Sequence, residues 1–147
     1  MLVVVVLLGV ACDENGEDGS ARPADCGLPS PEADVDVSLV PEVFLPDEAE
    51  VLRAERERGG FLAMIGVPLG VQDALGFYRR AVRSARYEVI QADNEGFEAE
   101  LYLRKGKFLA AIQIRTSKCD DESVVFVNVV DAAQIGGGLP SPSPAES

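Results

Sequence analysis

Histidine and tryptophan are absent from the 147 residues, and only three cysteines are present. Without histidine the chain cannot form a Ser-His-Asp triad or a Cys-His catalytic pair. The cysteines Cys12, Cys26 and Cys119 are far apart, so they do not have the spacing of a zinc site. The glycines at 136–138 lead into a Pro/Ser-rich tail and not into a helix, which disfavours a phosphate-binding loop. We therefore expect no metal and no cofactor.

Positive charge is also scarce. The 13 Lys and Arg residues face 25 Asp and Glu residues, which gives a net charge of −12. Proteins that bind nucleic acid need Lys and Arg to neutralise phosphates, so this class of partner is disfavoured. Attraction to an anionic membrane through charge alone is disfavoured for the same reason.

The only long apolar run extends from Leu2 to Ala11 and is too short to cross a bilayer, which takes about 20 residues. Its length suits the apolar core of a secretory signal, although no Lys or Arg precedes Arg22. A start of translation further upstream would supply the missing basic residues. An uncleaved signal, or a buried strand over residues 2–8, is an alternative for this run.

Cys12 follows Val10-Ala11 directly, and this junction resembles the lipobox of bacterial lipoproteins, although Gly9 stands where such lipoboxes usually have Leu. The resemblance implies that residues 1–11 are removed and that Cys12 is acylated and becomes the new N-terminus. It also implies a protein attached to the cell membrane through an N-terminal lipid anchor and facing outside the cytoplasm.

Composition divides the rest of the chain into three parts. Residues 12–34 are acidic and Pro-rich and are expected to be a tether, because they carry too little apolar surface to fold alone. Residues 35–133 are expected to form one α+β domain, and residues 134–147 a disordered Gly/Pro/Ser tail. If Cys12 is acylated, Cys26 and Cys119 remain as a pair, which favours a disulfide in an exported domain. Two free thiols in a cytosolic protein are the alternative.

Periodicity predicts one helix and at least four strands. Apolar residues at helical spacing predict a helix from about Val71 to Ala85. Alternating segments then predict an antiparallel meander, whose last strand is almost wholly apolar and is expected to be central. In the second of these segments Phe97, Ala99 and Leu101 are expected to share a face. The predicted segments are 87–92, 97–104, 108–115 and 123–130.

Residues 47–67 admit two interpretations. Acidic residues before Arg56, and Gly59 after it, are typical of a helix that starts near Asp47. The alternative, which we favour, is a hairpin of two strands with its turn at Gly59-Gly60, which would extend the sheet. The whole fold is thus predicted as an antiparallel sheet of about four to six strands with one amphipathic helix packed on one face.

Several short segments in residues 40–130 resemble a loose group of small, uncharacterised bacterial, possibly actinobacterial, envelope lipoproteins. They are Gly66-Val67-Pro68, residues 74–80 and 85–89, Glu98-Ala99-Glu100 and Lys118-Cys119. The resemblance implies a helix whose Phe-Tyr pair packs across a sheet, and it implies no activity.

Two sets of side chains are candidate sites. Glu98 and Glu100, two residues apart on one strand face, are spaced as a carboxylate pair could be in a small envelope hydrolase. Any solvated strand face has the same pattern. The second set, Arg79, Arg80, Arg83 and Arg86, forms a basic stripe that could bind an anionic envelope polymer or a protein partner. Cations near the end of a helix also complement its dipole and pair with acids such as Glu88, without any binding role.

The interpretation we favour is a non-enzymatic, membrane-anchored lipoprotein with a binding or scaffolding role at the cell envelope. The alternatives are the small hydrolase that uses Glu98 and Glu100, and a soluble cytosolic domain.

Overall fold

The computed structural model describes residues 26–135. In that part of the chain, six strands form one antiparallel sheet and one α-helix packs across the sheet. The elements in chain order are β1 (Glu50–Glu57), β2 (Gly60–Val67), α1 (Val71–Ser84), β3 (Glu88–Asn94), β4 (Glu98–Lys105), β5 (Phe108–Thr116) and β6 (Ser123–Asp131). The α+β prediction is confirmed. The predicted signal at residues 1–11, the lipidation site Cys12 and the tail beyond residue 135 lie outside the described residues.

The strand order across the sheet is β1-β2-β6-β5-β4-β3. Strands β3 to β6 are neighbours in chain order, which is the predicted meander. The predicted central position of β6 is confirmed, because it pairs with β2 on one side and β5 on the other. A strand in that position is covered by neighbours along both edges, which suits its apolar sequence.

The hairpin interpretation of residues 47–67 is correct, but its turn lies one residue earlier than expected. Arg58 and Gly59 form the two-residue loop, with φ angles of 43° and 75°. Positive φ at both positions is the signature of the tight hairpin turn that matches strand twist. Gly60 belongs to β2, where a Cβ atom would lie 1.9 Å from the carbonyl oxygen of Val129, so only glycine fits.

The helix buries the stripe that its periodicity predicts. Its buried side chains are Val71, Ala74, Leu75, Tyr78 and Val82. They pack in one core with the inward side chains of the sheet, among them Ile65, Leu101, Ile112 and Val127. Burying a side chain of this size stabilises a fold by about 1.5–3 kcal/mol. None of the helices within residues 26–135 is both long and apolar enough to span a bilayer.

Among the described residues 26–135, no α-helix packs on the opposite face of the sheet. Its half-buried apolar side chains belong neither to the core nor to the residues packed against the core, and we call them the open face: Leu62, Met64, Leu109, Ala111, Val124, Phe126 and Val130. Part of the predicted tether, residues 26–34, contacts the sheet at one end. There Glu32 N–H donates to the Leu52 carbonyl oxygen at 2.8 Å, and Leu28 lies against Gly66.

Phe97 departs from the predicted pattern. It precedes β4 and is 64% exposed, whereas Ala99 and Leu101, predicted to share its face, are buried. The alternation is correct, but the core at this end of β4 reaches only to Ala99, and Phe97 lies beyond it.

Candidate functional site

The predicted basic stripe lies on the helix side of the molecule. Arg79, Arg80 and Arg83 are exposed on α1, and Arg86 is exposed two residues after the helix ends. Residues three and four apart on a helix are neighbours, so Arg79 and Arg80 both lie beside Arg83. Because α1 turns its apolar side to the sheet, these guanidinium groups are left on the solvent side. We call these four residues the arginine stripe.

The chain leaves α1 through a turn that fixes the position of Arg86. The N–H of Tyr87 donates to the carbonyl oxygen of Val82, and the N–H of Arg86 donates to that of Arg83, both at 2.9 Å. This pair of bonds is the Schellman ending, in which the residue in the left-handed conformation is usually glycine. Here that residue is Arg86, with φ 62°. A non-glycine residue in this conformation costs about 1–2 kcal/mol.

The arginine stripe differs in its pairing from four of the other basic residues. Those four, Arg53, Arg58, Lys107 and Arg115, form ion pairs, whereas Arg56, Arg104, Lys105 and Lys118 form none within residues 26–135. Arg115 Nε lies 3.2 Å from Glu98, Lys107 Nζ lies 2.7 Å from Asp131, and Arg53 lies 3.3 Å from Glu55. Within residues 26–135 no member of the arginine stripe forms an ion pair. The expected pairing with Glu88 is therefore not present. Arg83 lies in the last turn of α1, where a cation complements the helix dipole.

Glu98 and Glu100 lie side by side and share one partner on β5. The side-chain amide of Gln113 donates to Glu98 Oε1 at 2.7 Å and to Glu100 Oε1 at 2.8 Å. Arg115 Nε also donates to Glu98, and the hydroxyl of Tyr102 donates to Glu100 Oε2 at 3.1 Å. The hydrogen bond with Glu100 raises the pKa of Tyr102.

This glutamate pair lines a shallow cavity of about 220 Å³ together with Asp93, Asn94 and Glu95. Sites for small molecules usually occupy about 300–1,000 Å³ and are largely apolar. The cavity is smaller and its lining is mostly acidic. Cross-strand hydrogen bonds between β4 and β5 account for both glutamates, which weakens the case for a hydrolase.

Cys26 and Cys119 form a disulfide, as predicted, with their Cα atoms 5.5 Å apart. The bond fixes the start of the described chain to the loop between β5 and β6. Free thiols, the alternative interpretation, are not present at these two positions. No cluster of three or more His, Cys, Asp or Glu side chains suited to a metal occurs in residues 26–135.

No family model matches the chain, and neither the curated proteins nor the solved structures that were compared with it give a match. An account of its function therefore rests on its own residues, among which the arginine stripe groups four exposed cations that form no ion pair within residues 26–135.

Proposed function

We propose that the protein is a lipoprotein of the cell envelope, anchored through Cys12, which binds an anionic polymer with its arginine stripe. The binding is non-catalytic. The observation that carries this proposal is the set of four exposed arginines without an ion pair among the described residues, in a chain of net charge −12. In such an acidic chain, unpaired arginines grouped on one surface favour an anionic ligand more strongly than they would in a basic chain.

The chemistry of arginine favours phosphate or carboxylate groups as the ligand. A guanidinium group donates two parallel hydrogen bonds to such an anion and keeps its charge at any physiological pH. With a rise of about 1.5 Å per residue, Arg79 and Arg83 are about 6 Å apart along the helix axis. A linear series of cations suits a chain with repeated anionic groups better than it suits one isolated anion.

Arg86 supports the same proposal. Glycine would relieve the left-handed conformation at this position, yet the chain has an exposed arginine there. Backbone strain of this kind occurs more often at functional positions than elsewhere. The strain is compatible with selection for the cation at the end of the arginine stripe.

The compartment is inferred from the cysteines. Disulfides such as Cys26–Cys119 form and persist outside the reducing cytosol. The lipobox-like junction at Cys12 also favours a location outside the cytosol. Only residues 13–25 separate Cys12 from Cys26, so an anchored domain would stay close to the bilayer, within reach of envelope polymers.

Calorimetric titration with poly(glycerol phosphate) tests the binding. We expect saturable binding by the wild-type protein that weakens as salt is added, and at least a tenfold loss of affinity in the double variant Arg79→Glu/Arg83→Glu. The matched control is Arg56→Glu/Lys118→Glu, which changes two exposed basic residues outside the helix and alters the net charge equally.

The two double variants separate a site from a general charge effect. Binding lost only in the helix variant, with its melting temperature kept within a few degrees, supports the proposal. Equal affinity in all three proteins, or an equal loss in both variants, would overturn it.

A further inference from the structure

The open face is an apolar feature of the described surface that the proposed function leaves unused. It lies on the side of the sheet opposite α1, so its side chains add nothing to the helix-side core. Phe126, Met64 and Leu109 are half-buried there. Contiguous apolar surface of this kind marks interaction sites in soluble proteins.

One polar atom in this face has no partner. Asn128 lies near the middle of β6, beside Leu62 on β2 and Ala111 on β5. Its Oδ1 atom is buried and accepts no hydrogen bond. A buried acceptor left without a donor costs about 1–3 kcal/mol. An apolar residue would avoid this cost, so the amide is expected to have a partner outside the single chain.

We propose that the open face is the interface of a homodimer, in which two sheets pack face to face about a two-fold axis. Paired sheets pack about 10 Å apart with their strands rotated by about 30°, as in a β-sandwich. Six strands with a spacing of about 4.8 Å and a length of about 26 Å give a face of about 750 Å². A stable dimer buries about 800 Å² of accessible surface on each partner. The seven apolar side chains of the open face lie on β2, β5 and β6, so an interface of this size also takes in the polar outer strands β1 and β4.

The register of the sheet makes this face complementary to itself. Glu55, Leu62, Asn128, Ala111 and Tyr102 form a row across five strands. A two-fold axis that runs parallel to this row, midway between the two sheets, sets the two Asn128 amides opposite each other. The Nδ2 of each can then donate to the Oδ1 of the other, after a side-chain rotation. A residue on the axis of a two-fold interface meets its own copy.

The neighbouring rows are complementary in shape under the same axis. Phe126 lies one row to one side of Asn128, and Val130 lies one row to the other. The axis therefore brings the ring of Phe126 over Val130 of the second copy. Because the operation is symmetric, this contact occurs twice.

The charges on β4 agree with the same arrangement. On β4, Glu100 and Arg104 flank Tyr102 and lie one row to either side of the axis. Each glutamate therefore faces the arginine of the other copy. On β1, Arg53 likewise faces Glu57 of the other copy. Glu55 lies between them on the axis and meets its own copy, and its charge is offset by its ion pair with Arg53 at 3.3 Å. These long side chains can follow the rotation between the sheets, and such pairs fix orientation more than they add affinity.

The arginine stripe remains free in this dimer, because α1 lies on the outer side of each sheet. A dimer would present two such stripes, one on each outer surface. The inference is independent of the proposed function, and either can fail without the other.

Sedimentation equilibrium of the full chain, from low to high micromolar concentration, tests the dimer. The wild-type protein is expected to have twice the monomer mass, and Phe126→Glu is expected to be monomeric. Phe97→Glu, an identical change at an exposed position on the helix side of the sheet, is expected to stay dimeric.

A charge exchange tests the orientation. Glu100→Arg places like charges opposite each other twice and is expected to raise the dissociation constant at least tenfold. Adding Arg104→Glu in the same chain is expected to return the dissociation constant to the wild-type value.

A monomeric wild-type protein would overturn the proposal, including the case where residues 1–25 or 136–147 cover the open face. A dimer that is unaffected by Phe126→Glu would place the interface elsewhere and would overturn it as well. If Phe126→Glu dissociates the dimer but Arg104→Glu does not restore the affinity that Glu100→Arg removes, the two-fold arrangement is overturned.

Discussion

The hydroxyl of Tyr78, in the middle of α1, donates a hydrogen bond of 2.9 Å to the main-chain carbonyl oxygen of Phe44. Phe44 ends a short 3₁₀ turn, Glu42–Phe44, and its ring contacts Phe61 of β2 and Tyr87 after α1, with centroids 5.9 and 6.0 Å apart. Tyr78 and Phe44 are both fully buried. This contact fixes the segment before β1 to the helix, and burial raises the pKa of Tyr78.

Tyr78→Phe should lower the free energy of unfolding by about 1–2 kcal/mol, because the buried carbonyl of Phe44 loses its donor. Urea denaturation measures the change. Thr116→Val, which removes an exposed hydroxyl that donates to the main-chain carbonyl oxygen of Phe97 at 3.0 Å, serves as the control and should cost less than about 0.5 kcal/mol. Equal costs for the two variants would mean that the buried hydrogen bond contributes no more than the exposed one.

Arg86→Gly should raise the free energy of unfolding by about 1 kcal/mol, because glycine adopts the left-handed conformation without steric cost. The same change removes one cation from the arginine stripe. We therefore expect higher stability together with weaker binding of poly(glycerol phosphate). A variant that is more stable and binds as tightly as wild type would remove Arg86 from the proposed site.

Loss of the disulfide should destabilise the domain. Cys26 and Cys119 are 93 residues apart in sequence, and closing a loop of this length contributes about 3–5 kcal/mol in the chain-entropy account. Denaturant unfolding of Cys26→Ser/Cys119→Ser measures the effect, with wild type before and after chemical reduction as the control. A loss below about 1 kcal/mol would indicate that the contacts of residues 26–34 hold that segment without the bond.

Asp131 should give the stability a dependence on acid pH. Its carboxylate accepts from Lys107 Nζ at 2.7 Å and from the N–H of Ala133, and these bonds lower its pKa. A carboxyl with a lowered folded-state pKa contributes stability above its unfolded pKa of about 3.9. That contribution is lost as the pH falls through the folded value.

The stability difference between wild type and Asp131→Asn should therefore be largest near neutral pH and shrink below about pH 4. Urea midpoints across this range measure it. Glu95→Gln, at the exposed turn before β4, is the control and should show no such trend. A constant difference at every pH would assign the effect of Asp131 to its shape and not to its charge.

The sheet and helix were predictable because their signals are local. The apolar spacing from Val71 to Val82 and the alternation of Ala110, Ile112 and Ile114 each follow from one face being buried. The turn of the first hairpin was missed by one residue. Its position depends on the close approach of Gly60 to Val129, a contact between strands far apart in sequence.

The candidate site was predictable only in part. Helical spacing placed Arg79, Arg80 and Arg83 on one surface, but their lack of ion pairs within residues 26–135 depends on where β3 and its acids lie. Gln113, which joins Glu98 to Glu100, was not identified because its role depends on the register of β4 and β5. The open face was missed because period-two sequences do not show which face a helix covers.

The anchor at Cys12 is the central claim, and intact-mass analysis with detergent partitioning tests it most directly. Wild type and Cys12→Ala would be expressed in a bacterial host, with a parallel gene that includes the upstream reading frame. The account predicts that wild type loses residues 1–11, gains the mass of a diacylglycerol group and enters the detergent phase, whereas Cys12→Ala does not. If both proteins are full length, unmodified and in the aqueous phase, even with the upstream frame included, the envelope location and the function built on it are contradicted.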